Sequence, residues 1–174
     1  MPRIIRTHQS YKSSGFTLLE VMVAMVIFSV GMLGLAGIQG IALQNNTTAY
    51  MRTIAMQQSY NMADLLRANT TFEGTVDSAF DGITTTIGSA PSTNCIADNQ
   101  TTNCSTSELA DFDIYHWKER LEDQLPSGRG TVTRTGNIYE IIIMWDEDRT
   151  GVTGEGCSGD STTDLKCYKL EMQV

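Results

Sequence analysis

A run of eighteen residues without a charged side chain, Val21 to Ile38, constrains this chain more than any other feature. Its only hydroxyl group belongs to Ser29. About eighteen residues is the minimum with which a helix crosses the hydrocarbon core of a bilayer. Because no Lys or Arg lies between Lys12 and Arg52, the positive charge stays on the N-terminal side. The sequence therefore predicts one membrane-spanning helix with a cytoplasmic N-terminus and the rest of the chain outside.

Three interpretations of this segment compete: a cleaved secretory signal, a permanent anchor, or a segment processed before the apolar run. A secretory signal is cut after its apolar region at a site with small residues, and we find no convincing site of that kind after Ile38. Glu20 borders the run, and an ionisable residue at the margin of a membrane segment is a functional candidate. The alternative is a carboxylate that only reaches the headgroup region.

The residues around Glu20 form a recognisable motif. The run Gly15-Phe16-Thr17-Leu18-Leu19-Glu20-Val21 follows a basic leader and resembles the prepilin signature of type IV pilins and type II secretion pseudopilins. The resemblance implies that a prepilin peptidase cuts after Gly15 and that Phe16 becomes an N-methylated terminus. It also implies that Glu20 pairs with the Phe16 amine of a neighbouring subunit and sets the register between helices. The expected division is a leader at 1–15, a transmembrane and assembly helix at 16–43 and a periplasmic head at 44–174.

Four glycines recur at every third position of the apolar region and weaken the helix, because glycine in a helix costs roughly 1 kcal/mol relative to alanine. They pack small residues between membrane helices, or they form a stretch that melts or bends during filament assembly, as the likeness to pilins implies. Both interpretations stay open for Gly31, Gly34, Gly37 and Gly40.

Helical periodicity continues beyond the apolar run to about Ala68, now with a single apolar stripe. One side of this amphipathic helix carries Gln57, Tyr60, Asp64 and Arg67. We expect the opposite side to face a core; it carries Met51, Ile54, Ala55, Met62, Leu65 and Leu66.

The remaining elements predict an α+β head, in which a small antiparallel sheet and a second helix pack on the long helix. Residues 69–107 read as loop with one or two weak strands or turns. A helix is expected over Ser107–Leu125, capped by Ser107 or Thr106, with apolar spacing at Leu109, Phe112, Trp117, Leu121 and Leu125. Three strands are expected at Gly130–Thr135, Tyr139–Trp145 and Cys167–Gln173, the first two joined as a hairpin across a Thr135-Gly136-Asn137 turn.

A second resemblance narrows the family. The helix that ends Leu125-Pro126-Ser127-Gly128-Arg129-Gly130 and the strand that ends Trp145-Asp146 are similar to the PilV family of minor pilins. The likeness covers most of the chain, but residues 69–107 look specific to this protein.

Four cysteines fall in two close pairs, Cys95 with Cys104 and Cys157 with Cys167, in the expected extracytoplasmic part. Three disulfide connectivities are possible, and two local loops are the simplest. The second pair also resembles the C-terminal disulfide loop of pilins. Zinc competes weakly, because the spacings are not C-x-x-C and His116 belongs to the second helix.

Other sites and partners are mostly excluded. Without the leader the chain keeps 9 basic and 20 acidic residues, a formal charge of −11, which disfavours nucleic acid. The stretch Asp146 to Gly151 echoes a calcium loop, but Cys157 stands where an EF-hand needs glutamate, so a solvated hairpin end is expected. His116 is expected to be a partly exposed helix residue. We expect no enzyme, cofactor or metal.

These expectations combine into a minor type IV pilin that helps to prime pilus assembly and sits in or near the tip, supporting twitching and adhesion. The implied partners are the prepilin peptidase, other minor pilins, the major pilin and a tip adhesin. The implied location is the bacterial inner membrane and then the fimbrium. A type II secretion pseudopilin is the nearest alternative; a DNA-uptake or adhesive subunit is one of another class.

Overall fold

The structure is a computed structural model that describes residues 15–69, 78–95 and 104–173. These residues belong to two compact units, which divide between Asn45 and Asn46. The leader residues 1–14 and residues 70–77 and 96–103 of the protein-specific region lie outside the described residues.

Helix α1, Leu18–Ala68, extends through the boundary between the two units. It begins just after Thr17, whose carbonyl oxygen accepts from Glu20 N at 3.1 Å and whose hydroxyl accepts from the same N–H at 3.3 Å. It ends at Asn69, where the backbone N–H and the side-chain amide both donate to the carbonyl oxygen of Leu65 at 3.0 Å. The Thr17 hydroxyl thus accepts from an N–H of the first turn, and the Asn69 amide gives the Leu65 carbonyl oxygen a second donor.

The second unit contains a short 3₁₀ helix, Ser78–Phe80, and helix α2, Thr106–Gln124. Its sheet has strands β1, Arg129–Thr135, β2, Ile138–Trp145, and β3, Lys166–Gln173, in the order β1-β2-β3. Both strand pairs are antiparallel, and this arrangement confirms the α+β, pilin-like fold class.

The predicted β1–β2 hairpin is present, and its loop has only two residues, Gly136 and Asn137, because Thr135 pairs directly with Ile138. Gly136, at the first loop position, has a φ of 64°, which glycine adopts without steric cost. Tyr139, Ile141 and Ile143 alternate along β2 and all point into the core.

One hydrophobic core holds this unit together, with the C-terminal part of α1 on one side. Trp117 Nε1 of α2 donates to the carbonyl oxygen of Gln58 in α1 at 3.0 Å, and the Gln58 amide donates to Gln124 Oε1 at 2.8 Å. The fully buried residues with the largest side chains are Trp117, Tyr139, Phe80, Met62, Leu66, Leu121, Leu125 and Ile141.

Two details of α2 differ from the sequence-based expectation. The N-cap is Ser105, not Ser107 or Thr106: its hydroxyl accepts from Glu108 N at 3.2 Å, and Glu108 Oε2 accepts from Ser105 N at 2.9 Å. This capping box fixes the start of the helix one residue earlier than expected. Leu109 is exposed and Ala110 is buried, because the spacing of seven and eleven residues to Trp117 and Leu121 puts Ala110 on the same buried face of the helix.

Candidate functional site: the exposed apolar part of helix α1

The expected cleavage position lies just outside the first helical turn. Gly15, Phe16 and Thr17 are not helical, and the Phe16 side chain is 84% exposed. A side chain added at Gly15 would meet no atom of the described chain within 4 Å. Nothing in the fold of the described residues therefore requires glycine at position 15, and a requirement would have to come from an enzyme that binds this peptide.

Glu20 is exposed in the first turn of α1, where a carboxylate interacts favourably with the helix dipole. It is the only charged residue between Leu18 and Met51, and its carboxylate makes no ion pair with the described residues. It shares a shallow apolar surface of α1 with Phe16, Val21, Ala24, Met25 and Phe28.

From Phe16 to Leu43 the large apolar side chains are between 46% and 84% exposed. In this part of α1 they occupy every side of the helix, and no residue before Met51 is buried. By length and composition, α1 is the one helix of the described chain that could span a membrane. A helix that is apolar all round needs a covering that this unit does not supply.

The four glycines of this region lie in continuous helix. An added Cβ at Gly31, Gly34, Gly37 or Gly40 would meet no atom within 4 Å apart from the backbone of the helix itself. Whether these glycines allow packing between helices or local melting stays a prediction.

Two local disulfides join the cysteine pairs that the sequence favours. Cys95 is bonded to Cys104, with the Cα atoms 6.0 Å apart, and this bond lies next to the Ser105 cap of α2. Cys157 is bonded to Cys167, with the Cα atoms 5.6 Å apart, and this bond holds a loop to the start of β3.

Asp164 organises the loop that the second disulfide closes. Its carboxylate accepts from Ser158 N at 3.1 Å and from Gly156 N at 3.3 Å. These contacts, those of Ser158 first, lower the pKa of Asp164 below its ordinary value. The ionised carboxylate is therefore part of the loop structure.

The expectation of a solvated hairpin end was wrong for Asp146. Asp146 is only 4% exposed, and its carboxylate oxygens accept from Gly151 N at 2.7 Å and from Thr150 N at 3.2 Å. Because the buried carboxylate accepts hydrogen bonds from backbone N–H groups instead of from water, it stabilises the turn after β2. The resemblance to the start of a calcium loop reflects this turn chemistry.

His116 is partly exposed, as expected, and its Nδ1 lies 2.9 Å from Glu119 Oε2 on the same helix. In the described ranges no group of three His, Cys, Asp or Glu side chains has an arrangement that could hold a metal ion.

Several buried polar groups were not predicted from the sequence, among them Gln58 and Ser59 of α1, Lys118 and the indole N–H of Trp145. Lys118 is only 8% exposed, and the indole N–H of Trp145 is buried without an acceptor among the described residues. A signal for Lys118 existed: it lies four residues after Ile114 and three before Leu121, on the apolar side of α2.

Comparison with known protein families agrees with the geometry of the N-terminal segment. Residues 10–36 match the family described as the prokaryotic N-terminal methylation motif. No curated protein and no solved structure gives a significant match. The motif is that of structural subunits, and it implies processing by a prepilin peptidase and assembly with other pilin-like chains.

The match includes Gly15, Phe16, Glu20 and most of the apolar run, and it fits a single-span inner-membrane subunit. The chain therefore carries a type IV pilin-like N-terminal signal, followed by a long helix and an α+β head.

Proposed function

We propose that this chain is a minor type IV pilin of the PilV type, which helps to start pilus assembly and sits in or near the pilus tip. One observation carries the proposal: the methylation motif, residues 10–36, includes the start of a helical segment whose apolar side chains are exposed on all sides. Lipid would cover this segment before assembly, and the helices of other subunits would cover it in a filament.

The proposed topology has the N-terminus in the cytoplasm and the head in the periplasm. Arg3, Arg6 and Lys12 precede the apolar run, and the next basic residue is Arg52. Two disulfides in the second unit suit an oxidising compartment outside the cytoplasm.

Glu20 is proposed to set the register between subunits. A carboxylate on an apolar helix surface needs a cation or must take up a proton once water is removed. The mature chain offers no basic side chain before Arg52, so the amine that cleavage creates at Phe16 is the nearest cation in sequence. The Phe16 amine of a neighbouring subunit would satisfy Glu20 and fix the axial offset of the two helices.

The processing step is tested with Gly15→Glu in the native organism, with Thr7→Glu as a control that adds the same charge within the leader. Mass spectrometry of wild type and control should find a mature N-terminus at N-methyl-Phe16, in membranes and in sheared filaments. Gly15→Glu should stay full-length in the membrane and be lost from filaments. An intact leader in assembled wild-type material would refute the assignment.

The register is tested with Glu20→Val and the isosteric Glu20→Gln. Both should be cleaved normally, yet both should be recovered in sheared filaments at a small fraction of the wild-type amount. If Glu20→Val were recovered in sheared filaments at the wild-type amount, the proposed pairing of Glu20 with the Phe16 amine would be wrong.

A minor pseudopilin of a type II secretion system is the alternative, since the same motif serves both machines. Deletion of the chain distinguishes them: loss of surface pili with intact protein secretion supports the pilin, and the reverse supports the pseudopilin. Genomic neighbourhood gives an independent indication.

A further inference from the structure

A polar cleft separates α2 from the segment 88–93 in the second unit. Its volume is about 270 Å³, room for roughly nine water molecules at about 30 Å³ each. Its walls include Ser89, Ser92, Asp111, Ile114, Tyr115 and Lys118. The size suits a ligand of one sugar ring rather than a drug-sized molecule.

Lys118 is the unusual wall residue. Its side chain is 8% exposed, and Nζ donates to the carbonyl oxygen of Thr86 at 2.7 Å. An ammonium group has three donors, and within the described ranges no carboxylate lies within ion-pair distance of this one. Burial alone lowers the pKa of Lys118, in agreement with the missing counter-ion. An anionic group placed in the cleft would offset the cost of this buried charge.

The other walls offer hydrogen bonds and an apolar surface. Asp111 is exposed and forms no ion pair in the described part of the chain, so its carboxylate is available to accept hydroxyl protons. Glu108 also lines the cleft; its carboxylate accepts from Ser105 and Thr93, so its oxygens are occupied, but its negative charge disfavours polyanions as that of Asp111 does. Ile114 and Tyr115 provide a face for C–H groups, and Ser89 and Ser92 provide hydroxyls.

We propose that this cleft binds a carboxylate-bearing sugar unit, such as a hexuronic acid. Its carboxylate would pair with Lys118, and its hydroxyl groups would donate to Asp111. Asp111 disfavours polyanions and orients the ligand, because only an uncharged edge of the sugar can approach it without repulsion. The site belongs to the second unit and does not depend on the assembly role proposed above.

The binding test uses the full chain in a polyoxyethylene detergent, which carries no sugar headgroup, and titrates it by saturation-transfer NMR. Glucuronate should bind with a Kd of about 1 mM, the range expected for a ligand of this size. Glucose, which lacks the carboxylate, and acetate, which lacks the hydroxyls, should bind at least tenfold more weakly. Acetate or zwitterionic glycine binding as tightly as glucuronate would overturn the assignment to a sugar.

Two variants locate the site. Lys118→Met keeps the aliphatic stem and removes the charge, and it should weaken glucuronate binding at least tenfold without lowering the Tm of the head. Arg120→Met removes an exposed charge from the same helix and should leave the affinity unchanged. Asp111→Asn, at an exposed position that folding does not need, should weaken binding several-fold even if Lys118→Met folds poorly. Wild-type affinity in Asp111→Asn and in folded Lys118→Met, or an equal loss in Arg120→Met, would overturn the proposal.

Discussion

Both parts of helix α1 are rich in apolar residues, but these side chains are exposed in the N-terminal part and partly buried in the C-terminal part. Up to Asn45 no side chain is buried, and the large apolar residues surround the helix on all sides. From Asn46 onward Met51, Ala55, Met62 and Leu66 are buried at helical spacing. Apolar content alone therefore does not identify a core residue. A helix with one apolar stripe packs that stripe on the chain's own core, whereas a helix with apolar side chains on every side is suited to contact lipid or other subunits.

The largest expected effect contrasts two methionines of α1. Met62 is 0% exposed and Met25 is 68% exposed. Met62→Ala should lower the free energy of unfolding of the head by about 2–5 kcal/mol, because it removes buried contacts and leaves a cavity. Met25→Ala should change it by less than about 0.5 kcal/mol. Both tryptophans, Trp117 and Trp145, lie in the second unit, so their fluorescence during denaturation in detergent reports on the head.

Equal destabilisation by Met25→Ala and Met62→Ala would break the comparison. It would mean that the N-terminal part of α1 also packs on the head.

A smaller effect contrasts two glycines. A Cβ at Gly128 would overlap the carbonyl oxygen of Leu121, a backbone atom that cannot rotate away. Gly128→Ala should therefore destabilise the head by about 1–3 kcal/mol. Gly34→Ala meets no atom within 4 Å and should leave head unfolding unchanged while favouring the helix by roughly 1 kcal/mol.

Thermal melts followed by tryptophan fluorescence check both glycine variants, and far-UV circular dichroism checks the helix. If Gly128→Ala had the wild-type Tm, the backbone at Gly128 would be farther from the Leu121 carbonyl oxygen than the structure shows.

The smallest expected effect is a pH dependence of the loop that the Cys157–Cys167 disulfide closes in the head. The pKa of Asp164 is lowered in the folded state, so its stabilising contacts are fully present above its ordinary value of 3.8. They are lost as the pH falls from there through the folded pKa. The protection factors of the Gly156 and Ser158 amides, measured by NMR hydrogen exchange, should then fall, while the Cys157–Cys167 bond keeps the loop closed.

Asp164→Asn is the control for this pH step, because an amide does not titrate. It should remove the step. If the pH-dependent change in amide exchange persists in Asp164→Asn, a titratable group other than Asp164 causes it.

Most secondary structure followed from local pattern. The hairpin was predictable because Gly136-Asn137 interrupts two alternating runs, and each strand begins only one residue before its expected start. The cap of α2 was missed although Ser105-Thr106-Ser107-Glu108 contains the capping-box spacing, since three adjacent hydroxyl residues compete for the role.

Burial of polar groups was less predictable. Asp146 and Lys118 carry side chains that composition assigns to the surface. Asp146 is buried because backbone N–H groups of the turn four and five residues later donate to its carboxylate. Lys118 is buried with a partner from a distant segment, the carbonyl oxygen of Thr86, which lies 32 residues away in the sequence.

Local patterns were enough to predict the N-terminal signal, the long apolar helix and the order of the head's elements, because each depends on residues that are close along the chain. The partner of Lys118 and the space around each glycine depend instead on how distant segments pack. Gly128 and Gly34 are both glycine, but the fold places the carbonyl oxygen of Leu121 against Gly128 and leaves open space beside Gly34. Contacts between segments far apart in the chain depend on packing, which no local pattern encodes.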